Sequence, residues 1–331
     1  MKYTNIMLKV EKIQELITDY INNQKFEGYP EELYAPIEYI LRQGGKRMRP
    51  TLCLLACDLF GGNIEECMVP AVAAEIFHNF TLVHDDIMDQ APLRRGMETI
   101  YKKWGSDVAI LSGDTMLIKA FQYVLNTNSK YRYEVFAELC KVALEVCEGQ
   151  QLDLNFETRD DVTLAEYLEM IRLKTAVLLG SVLKIGAIVA GADEESQKII
   201  YDFGVDIGMA FQLQDDVLDC YADVDVFGKM IGGDISDNKK TYLYLYALDM
   251  ANEEDQKQLR DLFKMPKGRD EEKIKKVLEI YDKYAVKHEV LAEIEEMFNV
   301  AIMDLITKLD VDEGRKDVLL DYAEYLYKRN K

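Results

Sequence analysis

The sequence predicts an all-α fold, on three observations. Only six prolines interrupt 331 residues. Long stretches repeat apolar residues at the helical period, and the strict alternation that marks half-buried strands is rare. A chain of this length can bury a large core as one large domain or two small ones. No linker divides it and no fixed-period repeat is visible, so residues 1–331 read as a single domain.

The elements follow in order. An amphipathic helix over 9–21 leads to a turn at Gly28–Tyr29–Pro30, and a helix over 31–42 ends at Gln43–Gly44–Gly45. Lys46–Arg47–Met48–Arg49–Pro50 comes next, with Pro50 suited to the first turn of the following helix. Three cations there oppose the helix dipole. Salt bridges on a solvated face are one reading. An anion site built from Lys46, Arg49 and open backbone N–H groups explains the placement better. Residues 105–126 and 134–154 read as helices. Thr163 starts another as N-cap, with Glu166 completing a capping box. That helix runs from 164 through Lys174–Thr175 to Gly191; taken alone, the Lys–Thr step reads as a snorkelling lysine beside a backbone-bonded threonine. Residues 195–220 form the next helix. The segment 221–240 holds Gly228, Gly232 and Gly233 with Lys229, Lys239 and Lys240, and reads as a loop that brings lysines over an anion. Helices fill the rest to residue 327, past a polar break near Pro266–Gly268.

The net charge of −20 argues against a general binder of nucleic acid or anionic membranes. Any phosphate site must be a local basic pocket in an acidic protein. The six cysteines, Cys53, Cys57, Cys67, Cys140, Cys147 and Cys220, form no CxxC pair and read as buried thiols. The longest apolar run, 176–192, contains Lys184 and three glycines, which fits a core helix better than a membrane span. With no signal peptide read at the start, the expectation is a soluble, cytoplasmic protein without stable membrane insertion.

One stretch carries the chemistry: EIFHNFTLVHDDIMDQAPLRRG, from Glu75 to Gly96. Ile76, Phe80, Leu82 and Val83 give its helix an apolar face, and Asp85, Asp86 and Asp89 sit at the helix end. Spacings of three and four put Asp85 or Asp86 on one face with Asp89. Crowded carboxylates repel, and a helix C-terminus favours cations. Something positive must compensate. Arg94–Arg95–Gly96 follows Pro92 at once, so acids and paired arginines together suggest magnesium and a phosphorylated ligand. The pattern recurs at Asp215, Asp216 and Asp219 in FQLQDDVLD. A lone DDxxD is weak. Two copies, each closing an apolar helix and each followed by a basic, glycine-containing loop, are not.

The order of GGKRMRP, HNFTLVHDDIMD, RRG, KT, FQLQDDVLD, GK and DNKK resembles the trans-prenyl (polyprenyl) diphosphate synthases over nearly the whole chain. The resemblance implies a single large helical bundle around a central cavity, the isoprenoid-synthase fold, and usually a homodimer. It implies condensation of isopentenyl diphosphate with an allylic diphosphate. Asp85, Asp86 and Asp89, with Asp215, Asp216 and Asp219 from a facing helix, would bind Mg2+, whose coordination the allylic diphosphate would complete. Arg94, Lys174, Lys229 and Lys239 resemble the allylic-diphosphate contacts, with Thr175 and Gln212 at the reacting end. Lys46, Arg49, His78 and Arg95 resemble the isopentenyl diphosphate site; His78 lies two turns before Asp85. The loop 221–240 and the tail 328–331 are candidate lids, since water would quench a carbocation.

Three rivals stand beside this. A terpene cyclase needs no second diphosphate site, which GGKRMRP and Arg95 supply. A non-catalytic subunit would not need both acid motifs intact. A di-iron bundle would need Glu-x-x-His pairs, which are absent. For product length, Phe80 lies about 7.5 Å and Phe77 about 12 Å before Asp85 along the helix axis, and Thr81 is small. In the resembling family one aromatic five residues before the motif, with a small residue four before it, accompanies geranylgeranyl-length products. Farnesyl diphosphate is the alternative, and a longer chain is a third.

Overall fold

The computed structural model describes residues 2–127, 130–221 and 231–329, with side chains from residue 9 to residue 328. It is helical almost throughout, as the periodicity predicts. The first helices are α1 (Lys2–Asn23), α2 (Glu31–Arg42), α3 (Met48–Leu59) and α4 (Ile64–Met88). A two-stranded hairpin, β1 (Leu93–Arg94) with β2 (Met97–Glu98), interrupts them and was not expected. Then come α5 (Ile100–Trp104), α6 (Ser106–Leu125), α7 (Arg132–Thr158), α8 (Leu164–Ile171), a π-helix (Arg172–Ala176), α9 (Val177–Ala190) and α10 (Glu194–Tyr221). The last are α11 (Gly233–Ser236), α12 (Tyr242–Met250), α13 (Glu253–Phe263), α14 (Glu271–Lys283), α15 (Val286–Lys308) and α16 (Glu313–Arg329).

Local chemistry sets several helix starts. Asn63 caps α4 by accepting from the Glu65 N–H, and Asp270 caps α14 through the N–H groups of Glu272 and Lys273. Thr163 and Glu166 form the capping box that the sequence predicts.

The chain divides into two compact units. The first comprises Met1–Lys141, Ser181–Tyr201 and Asp310–Tyr322. Its core holds Ile17, Ile37, Leu54, Ile76, Phe77 and Met116, each essentially inaccessible to solvent. Complete burial of such a side chain stabilises by about 1.5–3 kcal/mol. The second unit comprises Val142–Gly180, Asp202–Leu309 and Ala323–Lys331. Its core is one cluster that includes Leu213, Leu243, Leu259, Val277, Tyr281 and Ile294.

By length and hydropathy, Ser106–Leu125 and Leu164–Ala190 could each cross a membrane. The second is mostly buried in the protein, and Lys184 within it pairs with Glu138 at 2.6 Å. Of the cysteines read as buried thiols, Cys53, Cys57, Cys67 and Cys220 are buried; Cys140 is half-buried and Cys147 exposed, and all six are free. Cys147 departs from the expectation because the outward face of α7 there also carries exposed Leu144.

Candidate active site

In the first unit, α4 is buried almost without a break from Cys67 to Phe77. One stripe then opens: His78, Thr81, Leu82 and Asp85 are half-buried and Asp89 is exposed. Spacings of three, four and seven make this a single helix face. Asp86 turns away from it. It is 1 % exposed, and its carboxylate accepts from Arg94 Nε at 2.7 Å. Burial pushes its pKa up to about 6, with the Arg94 guanidinium pulling in the other direction.

Arg94 reaches Asp86 from the hairpin. Arg95 and Gly96 both have left-handed backbone, φ 52° and 76°, as a two-residue type I′ turn requires. The Arg95 guanidinium donates to the Gly44 carbonyl at 2.5 Å and lies against Gly45, where a Cβ would come within 3.0 Å of it. The RRG motif is thereby docked on the GGKRMRP turn.

Within GGKRMRP the three cations part company. Arg47, N-cap of α3, is left-handed at φ 46° and almost fully buried; its guanidinium pairs with Glu75 at 2.7 Å and also donates to the Leu41 carbonyl. Left-handed backbone costs about 1–2 kcal/mol, whereas leaving one partner of a buried pair alone costs about 3–5 kcal/mol. The pair therefore outweighs the strain. Lys46 stays exposed and Arg49 half-buried. Arg49 Nη1 lies 3.0 Å from His78 Nε2, and since a guanidinium only donates, His78 accepts there. Burial, then the charges of Arg49, Arg95, Arg94 and Arg47, hold the His78 pKa well below the ordinary value. His78 is neutral and ringed by arginines, a setting suited to a diphosphate.

Beneath the stripe, Phe77 is wholly buried and Phe80 is 8 % exposed, with ring centroids 5.7 Å apart. His84 meets Phe80 edge-on at 4.8 Å. Thr81 Oγ1 donates to the His78 carbonyl at 2.8 Å, which spends its hydroxyl on the helix.

In the second unit α10 repeats the arrangement. Asp215 is exposed and Asp219 half-buried, while Asp216 is 4 % exposed. Asp216 accepts from Tyr167 Oη at 2.5 Å and from Gln212 Nε2 at 3.3 Å, and Gln212 Oε1 accepts from Thr175 Oγ1 at 3.1 Å. Burial, helped by the charge of Asp234, holds the Asp216 pKa well above the usual carboxylate range despite those donors.

Thr175 and Lys174 lie on the π-helix, one of the wider turns that recur at functional sites. Two glycines make room for it. A Cβ on Gly149 of α7 would fall 2.3 Å from Lys174 N, and one on Gly208 of α10 would fall 2.7 Å from Ala176 Cα. Lys174 Nζ pairs with Asp153 at 2.5 Å.

After α10, Asp219 accepts the Asp234 N–H at 2.9 Å, and its carbonyl accepts from Gly232 N–H at 2.7 Å. Burial and the Asp219 charge push the Asp234 pKa up to about 7, and Lys239 draws it down. Lys240 points elsewhere. Its ammonium donates to the carbonyls of Phe156, at 3.1 Å, and Arg159 near the end of α7, where a helix dipole favours a cation.

Among the described residues no three His, Cys, Asp or Glu side chains form a preformed metal cage. Within each unit the outer acids, Asp85 with Asp89 and Asp215 with Asp219, are hard oxygen donors of the kind magnesium takes, an ion that keeps waters and accepts substrate phosphates in place of a closed protein shell.

A profile of the polyprenyl synthetase family matches residues 30–281. The chain belongs to the polyprenyl synthetase family. A geranylgeranyl diphosphate synthase of Methanosarcina mazei is 45% identical over 222 residues, covering 66% of this chain and 68% of that protein. A geranylfarnesyl diphosphate synthase of Natronomonas pharaonis is 41% identical over 256 residues, 72% of this chain and 75% of that one. The crystal structure of a geranylgeranyl pyrophosphate synthetase from Pyrococcus horikoshii superposes with a TM-score of 0.90 at 33% identity, over 99% of both chains.

For this polyprenyl synthetase chain, the structure gathers Arg49, His78, Arg94 and Arg95 in the first unit, with Lys46 exposed on the turn that Arg95 grips. In the second it links Thr175, Gln212 and Asp216, and sets Lys239 by Asp234. Lys229 lies outside the described residues, as do Gly228 and the last two residues of the tail. Asp86 and Asp216, expected beside their neighbours as metal ligands, face inward to Arg94 and to Tyr167 in this structure. Sequence reasoning missed Glu75, Asp153, Tyr167 and Asp234. Only Asp234 left a local signal, standing directly after Gly232–Gly233.

Proposed function

We propose that the chain joins isopentenyl diphosphate head-to-tail to an allylic diphosphate and yields mainly geranylgeranyl diphosphate. The observation that carries this is the polyprenyl synthetase match over a chain whose two acid motifs both keep their outer acids toward solvent. In this reading Asp85, Asp89, Asp215 and Asp219 hold magnesium, with Asp86 and Asp216 fixing the helix ends behind them. Bound magnesium supplies positive charge against the diphosphate oxygens. Lys174, Lys229, Lys239 and Arg94 hold the allylic diphosphate; Lys46, Arg49, His78 and Arg95 hold the isopentenyl diphosphate.

The allylic C–O bond breaks and its electron pair leaves on the diphosphate. The lysines bind that group more strongly as its charge grows, which lowers the barrier. The isopentenyl double bond then attacks the carbocation, and the released diphosphate takes the proton that is lost. Thr175 and Gln212 face the reacting end, where their mutual hydrogen bond leaves less capacity for stray water.

The relatives named for geranylgeranyl products and the Phe80–Thr81 pair support a twenty-carbon product over farnesyl diphosphate. The reading extends to the whole chain acting as one cytoplasmic catalytic domain and as a homodimer. Leu111, Ile118 and Leu125 support the dimer, forming an exposed apolar stripe at seven-residue spacing on α6.

The test is product analysis with purified protein, magnesium, isopentenyl diphosphate and each allylic primer. Diphosphate release that needs both substrates, with a twenty-carbon main product, is expected. Release from the allylic substrate alone would indicate a cyclase, and a fifteen-carbon main product would overturn the length assignment. Phe80→Ala should lengthen the product, with Phe77 setting the new limit. An unchanged distribution in an active variant would remove Phe80 as the floor.

A further inference from the structure

Lys273 is 1 % exposed, among the most deeply buried charged side chains in the protein, and no sequence motif marks it. It lies on α14, and its ammonium reaches the Oδ1 of Asn238 while resting over the Phe263 ring at 5.5 Å from the centroid. Asn238 has left-handed backbone, φ 59°. Its amide is held from the other end as well, Nδ2 donating to the Met265 carbonyl at 2.7 Å. Such backbone is unfavourable for a residue other than glycine, though Asn bears it better than most, and a hydrogen bond to a charged group is stronger than one between neutral groups. The grip of Lys273 therefore weighs on the conformation of Asn238.

Asn238 immediately precedes Lys239. Its left-handed turn folds the chain back after α11, so that the Lys239 N–H donates to the Asp234 carbonyl at 2.9 Å and the Thr241 N–H to the Lys239 carbonyl at 3.0 Å. The Lys239 charge then bears on Asp234, which is itself bonded to Asp219. We propose that Lys273 is a positioning residue: through Asn238 it sets the backbone turn that aims Lys239 at the second acid cluster. Burying an ammonium is costly unless it is well bonded. An apolar residue would fill the place against Phe263 without that cost, so the charge serves the bond to Asn238.

This rests on the role given to Lys239 under the proposed function, and the experiment separates the two. Steady-state kinetics are measured for the wild type, Lys273→Met, Lys239→Ala and the double variant. Lys273→Met should lower kcat about tenfold, as misaimed groups do, and leave the KM for isopentenyl diphosphate within about twofold. In the Lys239→Ala background the same change should cost less than about twofold. Equal losses in both backgrounds, or no loss in the wild type, would overturn the positioning role alone. Wild-type turnover in Lys239→Ala would overturn it together with the assignment of Lys239. Should Lys273→Met fail to fold, Asn238→Gly keeps the left-handed backbone open, removes the amide, and must show the same dependence on Lys239.

Discussion

The two acid clusters share spelling and helical phase, yet their inner members live in different chemistry. Asp86 faces a guanidinium at 2.7 Å, and its pKa rises only to about 6. Asp216 faces a phenol and an amide, with no cation among its described bonded partners, and burial holds its pKa well above the usual carboxylate range. The first is an ion-pair anchor that ties the Arg94 hairpin to α4. The second is a buried hydrogen-bonded acid that ties α10 to Tyr167 and, through Gln212, to Thr175. The same residue at the same motif position thus fixes a basic hairpin in one unit and a packed helix in the other. What differs is whether a cation is there to offset desolvation.

The outer acids should show the largest effects and little asymmetry. Asp85→Ala or Asp215→Ala should each lower turnover by about a thousandfold or more with the circular dichroism spectrum unchanged, because removing a crowded acid relieves repulsion. Near-normal turnover in either variant would sink the metal assignment.

The inner acids should split. Asp86→Asn leaves Arg94 without its charged partner and should lower turnover about tenfold, in line with the loss of a charge-assisted hydrogen bond. Asp216→Asn replaces a carboxyl already biased toward its protonated form and should cost about threefold or less. Kinetics of the two variants side by side decide the matter, and equal losses would break the contrast.

A thermodynamic check uses the same logic. Arg94 pulls the Asp86 pKa down, so Arg94→Met should move it above about 6, readable by carboxyl-carbon NMR titration in the metal-free protein. A raised folded-state pKa means that the native state binds the proton more tightly than the unfolded chain. Stability is then greater below the unfolded pKa and falls as pH rises through the folded pKa, so the Arg94→Met variant should lose more stability on going from acid to neutral pH than the wild type.

The smallest expected effect concerns His78, whose folded-state pKa is depressed. Below about pH 6.5 the unfolded chain binds a proton that the native state refuses, so stability falls as pH falls, by at most about 1.4 kcal/mol per pH unit. His78→Gln should flatten that acid-side slope in melting temperatures taken between about pH 7.5 and pH 5.5. An unchanged slope would mean that His78 titrates normally.

Much of this protein is written locally. Helix periodicity, the Thr163–Glu166 capping box and the helix over 31–42 follow from neighbours within a few residues, and the structure repeats them. The two DDxxD motifs, the basic turns and the family they belong to are equally readable, because chemistry of that kind needs particular residues in a particular order. Helical spacing alone could not say which acid of each motif faces inward. That depends on Arg94 arriving from a hairpin eight residues on, and on Tyr167 arriving from 49 residues away. The same holds for Arg47, read as one of three like cations and found locked against Glu75, and for Lys239 and Lys240, adjacent in sequence but bound for different partners. The π-turn at Lys174–Thr175 exists because Gly149 and Gly208, on two other helices, leave room for it. Local propensity reports the period of a helix. The direction in which a charge is turned is a balance of desolvation against a partner from a distant segment, and only the packed tertiary structure brings that partner into reach.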